Sequence, residues 1–347
     1  MDSKKDNQEN LEEKVDFEMF VDSQPIPKLI FLGIMTLALC SFPPFTILAP
    51  VPLSIAFLLF GKSRGLILGA IMTVILFGLG KTVPNTFSLG GVSAIMTVFY
   101  AFLISETINR KISPVKGLMQ SGFLIVGVIT LTWLVAKFIG DFSIKQVVED
   151  NVNQMIQTLK TGKNAELLKA GQGEEVRYLQ DIVKDPSSLV NNILSWLPAT
   201  VFISVFISLW AGFFLVLRNW PIWRMKVDYP HSIGELTQFK VPDLFVWPLI
   251  AGLILMLTGE YLFGETGTVI GSNLLYMMGV FYFFQGFGIF LDFLTHLKVF
   301  GFFRTLMVAM GLMLAWRVLV IVGAFDLWIN FRKFFKKKEN DDKGDNV

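Results

Sequence analysis

Six ionisable residues interrupt otherwise apolar stretches and are the first places to look for chemistry: Glu106, Lys137, Glu260, Asp292, Arg317 and Asp326. A charge at the centre of a membrane helix costs roughly 2.5–3.5 kcal/mol on insertion scales, so such a group is a functional candidate by default. Most of the six lie within a turn or two of the end of an apolar run, where a long side chain can snorkel to water. Asp292 and Arg317 sit deeper. Asp292 and His296 are one turn apart on a helix face. If the last two helices pack antiparallel, Arg317 reaches a carboxylate. That contact has two readings, a structural ion pair or a substrate or proton site.

Two amides, Asn273 and Gln285, share one apolar helix at a separation of about 18 Å. An amide in an apolar bundle bonds to a neighbouring helix, as structural glue, or contacts a ligand. Gly286 and Gly288 follow Gln285 and would let a partner come close to it.

No catalytic constellation is visible. The two histidines, His231 and His296, are far apart, so there is no paired-histidine zinc motif. The lone cysteine, Cys40, excludes an intrachain disulfide framework. Gly61-Lys62-Ser63 ends like a phosphate-binding loop, but Ala56 stands where the upstream glycine belongs and no strand precedes it. The residues therefore point to no metal, no cofactor and no enzyme. Gly61, Gly65 and Gly69 recur every four residues and predict a close helix contact along one face.

The elements that carry these groups are helices in lipid. Of 347 residues, 53% are hydrophobic, 14% aromatic and only 17% charged, and mean hydropathy is +0.58. Soluble domains carry about 25% charged residues. A net charge of +2 gives no reason to expect nucleic acid. Apolar runs near the ~20-residue length that crosses a bilayer cover residues 29–48, 50–61, 65–80, 90–108, 117–139, 190–217, 243–263, 268–296 and 300–325. The expectation is an all-α, polytopic transmembrane helix bundle of eight or nine spans. Pro43, Pro44, Pro50 and Pro52 break the first hairpin, either as a kink or as a break lining a cavity.

Five regions follow from composition: a polar tail over 1–27, a membrane bundle over 28–139, a polar insertion over 140–189, a second bundle over 190–330, and a basic then acidic tail over 331–347. In the insertion, Ile144, Val148, Val152, Met155 and Leu159 repeat at helical spacing, with Val147 and Ile156 on the same side. Gly171-Gln172-Gly173 then separates a second helix with Val176, Leu179 and Val183, which predicts an extracytoplasmic helical hairpin. Lys62 and Arg64, then Arg110, Lys111 and Lys116, then Arg218, Arg224, Lys226 and Lys240 mark three loops as cytoplasmic by the positive-inside rule. The scheme holds through eight spans. A ninth would carry Arg332, Lys333, Lys336, Lys337 and Lys338 outward, so either an early span is miscounted or the last apolar segment is re-entrant. The tail mixes these cations with Phe331, Phe334 and Phe335 and suits anionic lipid. Trp220, Trp223, Trp247 and Trp328 suit an interfacial belt.

Four segments in order carry a family resemblance: Ala49-Pro50-Val51-Pro52-Leu53 before Arg64-Gly65; Phe239-Lys240-Val241-Pro242-Asp243 with Val246-Trp247; Asn273-Leu274 with Gln285-Gly286; and Gly323 through Arg332. Over roughly 29–139 and 190–332 the chain resembles the YybS-like bacterial polytopic membrane proteins, a family without an established function. The resemblance implies a bacterial inner-membrane location. It also implies an N-terminal part similar to the substrate-capture subunits of energy-coupling-factor transporters and, more loosely, to a rod-shape membrane protein of the cell-wall machinery. It supplies no site residues. Two functions are expected in consequence. One is capture or transport of a small molecule, with a cavity near Pro43, Pro44, Asn85 and Glu106. The other is a non-enzymatic scaffold for envelope assembly or division, with the lipid bilayer and other membrane proteins as partners.

Overall fold

The structure, a computed structural model, describes residues 25–82, 90–140, 142–161 and 174–335. Among them there are helices and turns and no strand. The order is α1 (Pro25–Ser41), a 3-10 turn (Pro43–Leu48), α2 (Pro50–Phe60), α3 (Lys62–Thr82), α4 (Gly90–Asn109), α5 (Pro114–Gly140), α6 (Ile144–Lys160), α7 (Glu174–Lys184) and α8 (Pro186–Arg218). Then come the short α9 (Trp220–Trp223) and α10 (Ile233–Thr237), a 3-10 turn (Asp243–Phe245), α11 (Val246–Phe263), α12 (Glu265–His296), α13 (Gly301–Leu314) and α14 (Trp316–Ile329). The polar tail over 1–24, Asn85, the Gly171-Gln172-Gly173 break and Lys336, Lys337 and Lys338 lie outside the described residues.

Six helices are long and apolar enough to cross a bilayer: α3, α4, α5, α8, α11 with its preceding turn, and α12. A seventh span would need α13 and α14 to act together, and they meet at a 90° bend. The first two apolar runs give shorter helices. The chain is a polytopic helical membrane protein, as its composition predicts. Its chain segments interleave into two units. One takes residues up to Leu124, Val205–Val241 and the chain from Val280; the other takes Ile125–Ser204 and Pro242–Gly279.

In the first unit α2 is the core. Nearly all of it is buried, with Leu53, Ala56 and Phe57 packed against Leu68 and Met72 of α3 and Ala101 of α4. Its length of about 16 Å is half of the ~30 Å hydrocarbon core, so one end stops inside the bundle. That end would normally present unbonded N–H groups. Pro50 and Pro52 remove two of them at the source, and Cys40, Ala49, Leu76 and Ala94 close over the end. At the proline break the chain is packed by these four residues. Gly61 ends α2 at φ +85° and touches nothing within 4 Å of a Cβ position, so it is a turn residue and not part of a packing face. Gly65 and Gly69 do pack, against Phe57 and Val98.

The second unit contains the insertion. Val152 and Ile156 of α6 pack with Val190 of α8 and with Ile182 and Val183 of α7. The expected hairpin faces are therefore right for Val148, Val152 and Ile156, while Val147 and Met155 are left exposed. Asp185 caps α8. Its Oδ1 accepts the Ser187 hydroxyl and, at 3.3 Å, the Ser188 N–H, with Pro186 in the first helical position. These donors, the Ser187 hydroxyl first, hold its carboxyl below the usual carboxylate range. A carboxyl whose folded pKa is depressed contributes fully above its ordinary value of about 3.9 and loses that contribution as pH falls through the folded value. Protection of the first-turn amides of α8, corrected for intrinsic exchange, should fall in that acidic window in the native chain and stay flat in Asp185→Asn.

Candidate functional site

The sequence Leu236–Val241 joins α10 to the turn before α11 and has no regular structure after Gln238. Leu236, Phe239 and Val241 are nonetheless buried while Lys240 is exposed. Phe239 faces Phe281 and Phe284 of α12 at ring distances of 6.5 and 5.9 Å. Irregular backbone buried among apolar side chains needs partners for its N–H and C=O groups. Three polar side chains supply them or support those that do.

Gln285 is fully buried. Its Oε1 accepts the Val241 N–H at 2.7 Å, and its Nε2 donates to Asp326 Oδ2 at 2.9 Å. The other oxygen of Asp326 accepts the Phe331 N–H at 2.7 Å. That bond fixes the chain where Asn330, in the left-handed region at φ 51°, ends α14. Arg332 then reaches back. Its Nη1 and Nη2 donate to the carbonyls of Gln238 and Thr237 at 3.1 and 3.3 Å, and its Nε lies 3.4 Å from Asp292. The result is a polar knot that ties the buried loop, α12 and the end of α14. Helix backbones come close enough for it because Gly286 and Gly323 lack side chains. A Cβ on Gly286 would lie 1.8 Å from the Leu319 carbonyl oxygen.

The knot also decides the course of the last apolar segment. A straight run through α13 and α14 would separate its ends by about 40 Å. Instead Arg332 pairs with Asp292 near the end of α12, and Phe335 lies 5.9 Å from Phe293 and 5.6 Å from His296. The bent pair leaves α12 at this end, and the chain comes back to it at Arg332 and Phe335. That end is where the positive charge gathers. Lys62 and Arg110 both lie 2.5 Å from Glu106. Lys111 lies 2.6 Å from Asp228. His231 contacts Glu235 at 2.9 Å and the Lys111 carbonyl at 3.2 Å. Tyr229 donates to the Ile112 carbonyl at 2.8 Å, and burial pushes its phenol well up, which keeps it a donor.

Several sequence expectations change. Arg317 does not meet Asp292: it is exposed beside the bend, 5.3 Å over the Trp316 ring, because the single helix expected over 300–325 is bent by 90° into α13 and α14. Glu106 belongs to an ion cluster with Lys62 and Arg110 at a helix end, at the opposite end of α2 from Pro44. Trp223 is buried and donates to the Val216 carbonyl at 2.9 Å, so it is no belt residue. Trp220, Trp247 and Trp328 are exposed as a belt requires. Of Glu106, Asn273, Gln285, Asp292, Arg317 and Asp326, expected as candidate buried polar residues, Asn273, Gln285 and Asp326 are buried. Lys333 is exposed as a membrane-surface residue should be, whereas Arg332 is drawn inward.

A family model described as predicted membrane protein, DUF2232, matches residues 29–327. The chain belongs to this family. No curated protein and no solved structure matches it. In this DUF2232 chain the match takes in Gln285, Gly286, Gly323 and Asp326 of the knot and stops short of Arg332. Among the described residues no three His, Cys, Asp or Glu side chains come together as a metal would need.

Asn273 does a different job in the second unit. Pro198 stands inside α8 and cannot complete the helical rung there. The Asn273 amide closes the gap from α12. Its Oδ1 accepts the Ala199 N–H at 2.9 Å and its Nδ2 donates to the Ser195 carbonyl at 2.7 Å. Ser195 and Ala199 are the i, i+4 partners of a normal rung. Asn273→Leu should therefore cost about 2 kcal/mol, since a buried backbone group left unpaired costs roughly 1–3 kcal/mol. Pro198→Ala added to it lets the helix close its own rungs and should recover most of that loss in thermal unfolding. The sequence signal for this pairing was Pro198 itself, an interior proline in an apolar run.

Proposed function

We propose that this protein is a non-enzymatic scaffold of the bacterial inner membrane that holds a basic, aromatic C-terminal tail at a fixed place on its cytoplasmic end. The observation that carries this reading is the Arg332 anchor. Three backbone and side-chain partners hold the residue at which the tail begins, while Lys333 and Phe334 next to it face outward. Lys336, Lys337 and Lys338 continue the run in the sequence. A rigid root with cations and aromatic rings beyond it suits anionic lipid or the acidic surface of another membrane protein. The positive-inside rule makes this end cytoplasmic. The buried amides support the same reading, because Asn273 and Gln285 spend their hydrogen bonds on the protein's own backbone.

Small-molecule capture or transport is the second reading. It is favoured by the bent α13–α14 pair, since broken helices are where transporters build their sites. Trp210 Nε1 and Tyr282 Oη, buried without a hydrogen-bond partner among the described residues, favour it too. The narrower resemblance to YybS-like proteins and capture subunits points the same way. Affinity purification of the tagged chain from native membranes, followed by mass spectrometry, separates the two. The scaffold reading expects envelope or division proteins whose recovery drops when Lys333, Lys336, Lys337 and Lys338 become Gln. Recovery of a stoichiometric ATPase pair that ignores those changes would replace it with transport.

A further inference from the structure

The far end of α5 from Pro114 carries a feature that the knot and the basic end do not use. There α5 gives way to the polar insertion, and an open groove of about 400 Å³ lies between the two, lined by Trp133, Lys137, Phe142, Ser143, Ile144 and Lys145. We propose that this groove binds the phosphate headgroup of an anionic phospholipid.

The charge fits. Two lysines line the groove, and the Lys137 ammonium is held 5.6 Å over the Trp133 ring, which orients it without neutralising it. Lys145 shares its charge only loosely with Glu149, at 3.7 Å. Ser143 uses its oxygen to cap α6 by accepting the Gln146 N–H at 3.3 Å, so its hydroxyl proton remains available to a phosphate oxygen. The surroundings choose a lipid over a free anion. On the same last turns of α5, Leu131, Leu134, Val135, Phe138 and Ile139 are exposed and apolar. Trp133 and Phe142 line the groove beside the lysines, and ring side chains suit the headgroup level. A cationic pocket set directly on an apolar helix end matches an amphiphile: phosphate above, acyl chain along α5. The size also fits, since ligand pockets of ~300–1,000 Å³ hold groups as large as a headgroup.

The test is photo-crosslinking of the full chain, reconstituted in phosphatidylcholine vesicles containing a trace of photoactivatable phosphatidylglycerol, followed by peptide mapping. Label is expected on the peptide spanning residues 133–145. Lys137→Gln with Lys145→Gln should cut that label several-fold while leaving the label elsewhere on the chain unchanged, which serves as the check that the protein is folded. Lys137→Arg with Lys145→Arg should restore it. Inorganic phosphate added in excess should not compete, because it lacks the chain that α5 holds. Equal labelling by a photoactivatable phosphatidylcholine overturns the proposal. So does a label indifferent to the Gln pair, or one removed by free phosphate.

Discussion

Gly323→Val should leave little folded protein. The Cβ of any residue at Gly323 would stand 1.9 Å from the Tyr282 carbonyl oxygen and 2.8 Å from the Gly286 amide nitrogen. These are backbone atoms of α12, so no rotamer change relieves the clash and the two helices must separate. Overpacking a well-packed contact costs about 1–3 kcal/mol and sometimes more. Here separation also pulls Asp326 from Gln285, so the upper part of that range or beyond is expected. The readout is monodispersity in mild detergent and the midpoint of thermal unfolding. Gly323→Ala should be milder than valine but still plainly destabilised. Gly78→Ala is the control: nothing lies within 4 Å of a Cβ at Gly78, and alanine suits a helix better than glycine by up to ~1 kcal/mol. A Gly323 variant as stable as the control would mean that α14 does not rest on α12 in this way.

The second large effect belongs to Gln285→Leu. Leucine is close in size and suits the surroundings, so the loss isolates two hydrogen bonds. The Val241 N–H and one oxygen of Asp326 would be left buried without partners, at roughly 1–3 kcal/mol each. A loss of about 3 kcal/mol is expected. Arg332→Gln should lose less, since Asp292 is half-exposed and recovers water, and only two loop carbonyls suffer. The cycle is the sharper measurement. Gln285 and Arg332 hold the same loop from two sides, so their losses should be less than additive. Residues in one network couple by 0.5–3 kcal/mol. Strict additivity would show that the loop does not act as one unit.

The membrane character, the helical class and most span positions were legible because lipid imposes them. A run such as 268–296 has no other stable form in a bilayer, and composition alone identifies it. The helices at 144–160 and 174–184 were legible because their apolar residues repeat with the helix period. The problem of the last segment was visible too, since Arg332 and Lys333 on the wrong side signalled a miscounted or re-entrant helix. What charge could not say was which. The 90° bend at Ala315 has no proline or glycine of its own to announce it, and the return to α12 depends on pairings made far along the chain. Asp292 illustrates the limit. The sequence pointed to Arg317 as its partner, whereas Asp292 is half-exposed and lies beside Arg332, a proximity set by the path of a helix pair that spacing does not reveal. Gln285 and Asn273 were rightly expected to bond to neighbours. The partners turned out to be backbone, a proline-broken rung and an irregular loop, and such sites carry no side-chain pattern to match. Arg332 was read as a surface cation because its neighbours are cations, and only its three contacts separate it from them.

Arg332 donates to the loop Thr237–Val241 directly and Asp326 supports it through Gln285, yet both are made about ninety residues later. During synthesis that loop must therefore wait. Until α14 and the root of the tail have left the ribosome, the carbonyls of Thr237 and Gln238 and the amide bonded by Gln285 lack their final arrangement, and the first unit stays open. The segment from Asp326 to Arg332 acts as a closing stitch. A chain cut short before Asp326 would leave the carbonyls of Thr237 and Gln238 without the Arg332 guanidinium and Gln285 Nε2 without its carboxylate.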